Sequence, residues 1–137
     1  MRTFQALTLL SLMVMVVSKC SSPGPPLAAV AATPAQVAHA SAFLKLGFTL
    51  DHAYVVPSQS HQNATFFAAR VMGGRPEPTV GVWLISGTFD SPGLTLSVDV
   101  YAKEFSVAPD GGSTRAQVSM TDPPASDLQR FVESQLR

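Results

Sequence analysis

The feature that most constrains the fold of this chain is a short apolar run at residues 79–85. The run reads Thr-Val-Gly-Val-Trp-Leu-Ile, and segments rich in glycine and proline bound it on both sides. An uncharged run of this length between turn residues is typical of a strand that is covered on both faces. The sequence therefore predicts a strand that is buried inside a packed core.

Strict alternation at residues 94–100 predicts a second kind of strand. Four aliphatic side chains point one way and three polar side chains point the other: Leu94, Leu96, Val98 and Val100 against Thr95, Ser97 and Asp99. A period of two residues predicts a strand with one face in water. Further strands are predicted at residues 54–56, 65–72 and 115–120, and the hairpin-length loops between strands favour antiparallel pairing.

Two helices complete the predicted fold. Thr33 can cap a helix over residues 35–46, although residues 42–46 fit an extended segment equally well. Near the C terminus, Thr121 or Asp122 can cap a helix with one apolar stripe, made of Leu128, Phe131, Val132 and Leu136. We therefore expect an α+β fold, in which a four- or five-stranded antiparallel sheet carries the C-terminal helix on one face.

The N-terminal residues predict export. Arg2 precedes an apolar run at residues 6–17, and Ser18 and Lys19 lead from this run to Cys20, the only cysteine. This is the layout of a signal peptide, and the run is shorter than the roughly 20 residues that a membrane-spanning helix needs. We expect a signal peptide at residues 1–19, a linker at residues 20–33 and one globular α+β domain at residues 34–137.

Cys20 is the residue with the most specific predicted role. Residues 17–20 (Val-Ser-Lys-Cys) resemble the lipobox of bacterial lipoproteins, in which the cysteine is acylated, and Lys19 departs from the small residue usual before it. Two acyl chains suffice for stable anchoring, and the proline- and glycine-rich residues 21–26 are suited to a tether. The resemblance implies a lipid-anchored extracytoplasmic protein of the cell membrane or outer membrane. Secretion after cleavage and retention through an uncleaved signal are the alternatives.

Composition argues against several classes of partner. The chain has 9 basic and 9 acidic residues, and loss of Arg2 and Lys19 with the signal leaves 7 basic residues against 9 acidic ones. The basic residues are dispersed, so we expect no nucleic-acid partner. The three histidines, His39, His52 and His61, lack the spacing of a helical metal site, and we expect neither a metal nor a cofactor.

Two places remain as candidate ligand sites. Trp83, the only tryptophan, is expected in the core, and a ligand-facing position is the alternative because tryptophan is enriched at binding hot spots. If the alternating strand continues, Asp99, Tyr101 and Lys103 project from one face, as ordinary solvated side chains or as a polar recognition patch. Ser86 follows a strand without a Gly-x-Ser-x-Gly motif, which favours turn formation over nucleophilic catalysis.

A resemblance supports the envelope prediction. Residues 80–83 (Val-Gly-Val-Trp) and 97–106 (Ser-Val-Asp-Val-Tyr-Ala-Lys-Glu-Phe-Ser) resemble a group of short bacterial envelope lipoproteins over about residues 51–136. The resemblance implies an anchored extracytoplasmic domain and brings no activity or functional residue with it. The leading hypothesis is a lipid-anchored domain that binds an envelope protein or a ligand. A structural or assembly accessory of the cell envelope is the second hypothesis, and an extracytoplasmic hydrolase is the third.

Overall fold

The computed structural model describes residues 27–76, 78–87, 92–114 and 117–137. The predicted signal peptide and Cys20 lie outside these residues. In chain order the elements are β1 (Val30–Ala31), α1 (Pro34–Ser41), β2 (Thr49–Pro57), β3 (Ala64–Met72), β4 (Val80–Gly87), β5 (Pro92–Ser97), α2 (Val100–Phe105), a 3-10 turn (Gly111–Ser113) and α3 (Ala125–Gln135).

The five strands form one antiparallel sheet in which every strand lies beside its neighbours in sequence. The strand order is β1-β2-β3-β4-β5, and all four pairings are antiparallel. From β2 to β5 short connections favour this order, because a hairpin can join antiparallel strands but not parallel ones, whereas α1 lies between β1 and β2. The C-terminal helix α3 packs against β2, β3 and β4, which confirms the predicted α+β fold.

One face of the sheet and α3 share a hydrophobic core, which we call the α3-side core. Alternate residues of β3 and β4 point into it and meet the buried stripe of α3: Phe66, Ala68, Val80, Val82, Leu84, Leu128 and Val132. Each large apolar side chain removed from water in this way contributes about 1.5–3 kcal/mol. Packing of α3 on the sheet is therefore a main source of stability.

The other face of the sheet is also covered, by α1 and α2. The intervening residues of β3 and β4 point into this second core, together with residues from the two helices: Ala40, Phe67, Ala69, Val71, Trp83, Ala102 and Phe105. The apolar run at residues 79–85 is buried on both faces, as its composition predicts. The sequence-based expectation placed a helix on one face only, whereas the molecule has helices on both.

The polar face of β5 lies inside the molecule, so the prediction of a wet face is wrong. Thr95 and Ser97 are 1% and 0% exposed. Thr95 Oγ1 lies 2.9 Å from His39 Nε2 of α1, and Ser97 Oγ donates to the carbonyls of Ala108 and Pro109. Alternation shows that two faces differ in polarity, but internal hydrogen bonds can satisfy a polar face as well as water can.

α1 begins as predicted and ends earlier. Thr33 Oγ1 accepts a hydrogen bond from the Gln36 N–H and Gln36 Oε1 accepts one from the Thr33 N–H, which is a capping box. The helix ends at Ser41. Residues 42 and 43 form a turn in which the Phe43 N–H donates to the Ala40 carbonyl, and Leu44 then pairs with Ser106. Strand-like pairing with a distant segment has replaced the last predicted turns of the helix.

Two predicted segments differ from the structure. The predicted linker at residues 20–33 contains β1, which pairs with β2, so the folded part begins before residue 34. Of the predicted strand at residues 115–120, the described residues 117–120 are not in a strand. Val118 is nevertheless 1% exposed and packs in the α3-side core.

The predicted apolar stripe of α3 meets the sheet. Leu128 and Val132 are fully buried, and Phe131 and Leu136 pack against the same core while partly exposed. The helix begins after Pro124 rather than after Thr121 or Asp122.

We expect Leu128→Ala to lower the free energy of unfolding by about 2–5 kcal/mol, because it leaves a cavity between α3 and the sheet. Urea unfolding followed by Trp83 fluorescence measures this loss. Leu94→Ala is the matched control, since Leu94 is 52% exposed, and it should cost less than half as much. Equal losses for the two variants would contradict the packing of α3 on the sheet.

Candidate functional site

The chain leaves the sheet at Asp99, and this departure separates the predicted ligand residues. The Val98 N–H still donates to the Val82 carbonyl at 2.9 Å. The Asp99 carboxylate then accepts from the Ala102 N–H and caps α2, so the strand does not continue. Asp99, Tyr101 and Lys103 therefore do not share a strand face, and that prediction is wrong.

Asp99 is a buried junction between three elements. It is 5% exposed, and its Oδ1 accepts hydrogen bonds from the N–H groups of Val82 and Ala102, both at 2.9 Å. Its Oδ2 accepts from Gln129 Nε2 at 2.8 Å, and the same Nε2 donates to the Val80 carbonyl at 2.9 Å. One carboxylate thus joins β4, α2 and α3.

The surroundings of Asp99 change the pKa of its carboxyl group. Burial raises the pKa of the Asp99 carboxyl above its ordinary value, and the hydrogen bonds from backbone N–H groups and Gln129 oppose this rise. A raised carboxyl pKa is a frequent mark of a functional site. In this protein both carboxylate oxygens are occupied by groups of the chain itself, so we assign Asp99 a structural role.

Trp83 lies in the core between the sheet, α2 and the segment that follows α2. The side chain is 0% exposed, and its ring meets Phe67 edge-on at 6.0 Å between centroids. Trp83 Nε1 donates to Ser106 Oγ at 3.1 Å, and Ser106 Oγ donates in turn to the Ala102 carbonyl. Both ends of the indole are engaged within the protein, and the ring offers no open face to a ligand.

Tyr101 lies on the surface of α2, beneath an arginine. The Arg75 guanidinium carbon is 5.7 Å from the centre of the Tyr101 ring and 6.0 Å from that of Phe105. The same guanidinium donates to both carboxylate oxygens of Glu104, at 3.0 and 2.9 Å. One guanidinium nitrogen makes both contacts, and the two side chains are 46% and 43% exposed, so solvent screens this ion pair.

Lys103 forms an ordinary surface ion pair. Its Nζ lies 3.1 Å from Asp110 Oδ1, and both side chains are about two-fifths exposed, at 41% and 42%. A hydrogen bond from the Gly112 N–H, followed by the contact with Lys103, lowers the pKa of Asp110. Solvent screens such exposed pairs, so this one adds little to stability.

The most exposed large apolar side chain near α2 is Leu46, at 100% exposure. It occupies a tight turn in which the Phe48 N–H donates to the Lys45 carbonyl at 3.3 Å and Gly47 has a φ of +95°. The turn is fixed to α2, because the Lys45 N–H donates to the Phe105 carbonyl at 2.9 Å and the rings of Phe48 and Phe105 are 4.8 Å apart. Nothing in the turn requires a leucine at its tip.

We call the surface made by Leu46, Arg75, Val100, Tyr101 and Glu104 the α2 surface. Arg75 connects Tyr101 and Glu104, and Val100, which is 65% exposed, lies one helical turn from Glu104. The turn that carries Leu46 reaches the same place, because the side chain of its neighbour Lys45 donates to the Glu104 carbonyl at 2.8 Å. Arginine and tyrosine are enriched among the residues that dominate protein interfaces.

The three histidines lie in three separate places. His39 Nε2 is 2.9 Å from Thr95 Oγ1, His52 Nδ1 is 3.1 Å from Asp51 Oδ1, and His61 Nε2 is 3.4 Å from Asp122 Oδ2. Ser86 Oγ instead accepts from the Leu94 N–H at 2.8 Å, a structural hydrogen bond between β4 and β5. Each histidine of the described part of the chain thus pairs with a residue other than Ser86, and the hydrolase hypothesis receives no support from this serine.

The Asp51 carboxylate, which lies beside His52, is paired with Arg70. Arg70 Nε donates to Asp51 Oδ1 at 2.7 Å and its terminal nitrogen donates to Oδ2, a pairing that lowers the pKa of Asp51. His52 has a φ of +50° where the register between β2 and β3 shifts. The three side chains join β2 to β3 at the edge of the core.

Comparison with known proteins assigns no family. No protein-family model, no curated protein and no solved structure matches this chain. Within residues 27–76, 78–87, 92–114 and 117–137, no group of three or more His, Cys, Asp or Glu side chains is placed to hold a metal ion. In those same ranges no helix is both long and apolar enough to cross a bilayer.

Sequence reasoning missed Leu46 and Arg75, the two most prominent residues of the α2 surface. A signal for α2 itself was present, since Asp99 precedes Ala102 by three residues and Ala102 precedes Phe105 by three. An aspartate at that spacing before small and apolar residues is a helix start. No local pattern reveals the exposure of Leu46, which depends on where the turn is fixed.

We expect Asp99→Ala to destabilise the fold by about 2–5 kcal/mol, because it removes a helix cap and leaves buried N–H groups without an acceptor. Asp99→Asn keeps one acceptor oxygen and should cost less. The raised pKa of Asp99 means that the native state binds its proton more tightly than the unfolded state. The stability advantage of the wild type over Asp99→Asn should therefore grow as the pH falls from 7 toward about 4.

Urea unfolding of both variants across this pH range tests the sign. If the wild-type advantage shrinks as the pH falls, the hydrogen bonds to the Asp99 carboxylate outweigh its burial, and the pKa of this carboxyl is lowered rather than raised.

Proposed function

We propose that this chain is a lipid-anchored extracytoplasmic interaction domain that binds a protein partner through the α2 surface. The observation that carries the binding half of the proposal is Leu46, a fully exposed leucine held at the tip of a turn that is fixed to α2. Exposed leucines are common, but the turn that carries this one is fixed to α2, the helix on which Arg75 lies over Tyr101.

The anchoring half of the proposal comes from the N-terminal residues. A signal-peptide layout, the lipobox-like residues 17–20 and the tether composition of residues 21–26 all favour acylation of Cys20. An anchored domain of this size with no assigned chemistry acts through what it binds.

The energetics of the α2 surface suit a protein partner. Burial of Leu46 in an apolar pocket of the partner is worth about 1.5–3 kcal/mol. Hydrogen bonds already order the backbone of the turn that carries Leu46, so binding loses little backbone freedom there. Arg75 and Tyr101 add two residues of the types that dominate the affinity of many interfaces.

Assembly by strand addition, the alternative route to a partner, has a weaker basis. The strand at one edge of the sheet, β1, has two residues, both exposed. Very short edge strands are a common protection against pairing with another chain. At the other edge, the Ser97 N–H of β5 already donates to the Pro109 carbonyl.

We expect Cys20→Ala to move the protein from the membrane fraction to the soluble fraction and to abolish acyl labelling. Lys19→Ala is the informative companion, because it restores the small residue of the lipobox and should leave labelling unchanged or increase it. Fractionation and metabolic labelling with a fatty acid are the measurements. A wild-type protein that carries no label would refute the anchor.

We expect Leu46→Ser to weaken partner binding by about 10- to 100-fold, the loss that corresponds to one buried leucine. Leu94→Ser is the matched control, since Leu94 is half-exposed on β5. The partner is isolated from envelope extract with the tagged wild-type chain, identified, purified and titrated against all three proteins. Equal affinities for the two variants would remove the α2 surface from the proposal.

A further inference from the structure

We infer that Gln129 of α3 is a positioning residue for the α2 surface and acts on it through Asp99 from the opposite face of the sheet. α3 packs on one face of the sheet and α2 packs on the other, against β4. The Gln129 side chain connects the two layers, because its Nε2 donates to Asp99 Oδ2 at 2.8 Å. The inference rests on the proposed function and deepens it by naming the contact that holds the α2 surface in place.

Gln129 is fixed at the sheet as well as at Asp99. Its Nε2 also donates to the carbonyl of Val80, the first residue of β4, at 2.9 Å. Both partners are acceptors, so the side-chain amide has to present its nitrogen to them, and its two N–H groups match the two contacts. Neither a carboxylate nor an apolar side chain at position 129 can donate these hydrogen bonds at neutral pH.

Asp99 transmits this contact to the first turn of α2. Its Oδ1 accepts from the Ala102 N–H at 2.9 Å, and its carbonyl accepts from the Lys103 N–H at 3.1 Å. A helix of six residues has too few hydrogen bonds of its own to be stable alone, so the placement of its cap influences its position. Three residues of the α2 surface lie on α2 itself and follow this cap: Val100, Tyr101 and Glu104.

Uncharged groups from three elements face the Asp99 carboxylate. β4 contributes the Val82 N–H, α2 contributes the Ala102 N–H and α3 contributes the Gln129 amide. The charged side chains that adjoin these contacts in sequence are paired elsewhere: Lys103 with Asp110, Glu104 with Arg75 and Arg130 with Asp127. A negative charge introduced at position 129 therefore acts mainly on Asp99.

Trp83, the only tryptophan of the chain, reports on the placement of α2. Its Nε1 donates to Ser106 Oγ at 3.1 Å, and Ser106 Oγ donates to the Ala102 carbonyl of α2. A displacement of α2 breaks this chain of hydrogen bonds and admits water to the buried indole, which moves its fluorescence emission to longer wavelength. A variant that is less stable but still folded keeps the wild-type emission, so the emission distinguishes positioning from a general loss of stability.

Three variants of the full-length chain test the inference. Gln129→Met keeps the length of the side chain and removes both donors, and Gln129→Glu keeps its shape and places a carboxylate against Asp99. Gln135→Glu is the matched control, because Gln135 ends the same helix, is exposed and donates from Nε2 to Ser134 Oγ. Circular dichroism establishes that each variant is folded.

Hydrogen exchange at neutral pH, followed by mass spectrometry, measures how firmly α2 is held. We expect Gln129→Met to speed the exchange of the backbone N–H groups of residues 99–106 by about 10- to 100-fold, which corresponds to the loss of a hydrogen bond with a charged group. Exchange at residues 34–41 should stay close to the wild-type rate, since α1 is held by its own capping box and by His39. Unchanged exchange at residues 99–106, or an equal increase at residues 34–41, would overturn the positioning role.

Gln129→Glu adds a pH signature and covers the case in which Gln129→Met does not fold. At about pH 8 two carboxylates face each other and repel, and as the pH falls one of them takes up a proton and donates to the other. We expect the Trp83 emission of this variant to lie at longer wavelength at about pH 8 and to return toward the wild-type value at about pH 5. Gln135→Glu should follow the wild type at every pH. A Gln129→Glu emission that matches the wild type throughout this range, or stays shifted throughout it, contradicts the inference.

The exchange and emission measurements use the chain alone, so they separate this inference from the proposed function. If Leu46→Ser fails to weaken partner binding while Gln129→Met loosens α2, the binding role is lost and the coupling of α3 to α2 stands. If Leu46→Ser weakens binding while residues 99–106 are as protected in Gln129→Met as in the wild type, the binding role stands and Gln129 is not a positioning residue.

Discussion

The arrangement of this protein depends on the hydrogen bonds that the buried Asp99 carboxylate accepts. Where β5 leaves the sheet, the Val82 N–H would lose a strand partner inside an apolar core, and Asp99 Oδ1 supplies the missing acceptor. The same oxygen caps α2, and Oδ2 receives Gln129 from α3. A buried donor without an acceptor costs roughly 1–3 kcal/mol. The Asp99 side chain provides acceptors for donors of three elements, β4, α2 and α3.

The position of α2 follows from this junction, and the surface features follow from α2. Phe105 of α2 supports the ring of Phe48 and lies below Arg75, so the turn that carries Leu46 and the loop that carries Arg75 are both arranged around one helix of six residues. So short a helix is not stable alone, and packing on β4 maintains it. The proposed binding surface thus depends on the packing of α2 against β4.

An antiparallel meander suits the proposed role for a simple geometric reason. Its strands all run the length of the sheet, so two ends are separated by one strand length, and the chain can arrive at one end while loops at the other carry the contacts. In this chain the N-terminal segment arrives beside residues 58–63, and Leu46 and Arg75 lie at the far end.

Local pattern by itself determined the strands at residues 65–72 and 79–85, the burial of residues 79–85 and the apolar stripe of α3, because side-chain period and turn residues act over a few positions. Only the tertiary structure decided that the polar face of β5 is buried, that α1 stops at Ser41 and which of two local patterns Asp99 follows, a helix start or a continued strand. Each of these depends on partners distant in sequence, namely His39, Ser106 and Gln129. Exposure of Leu46 is likewise a property of where its turn is fixed. Hydrogen-bond partners brought together by folding decide such points, and no window of neighbouring residues contains them.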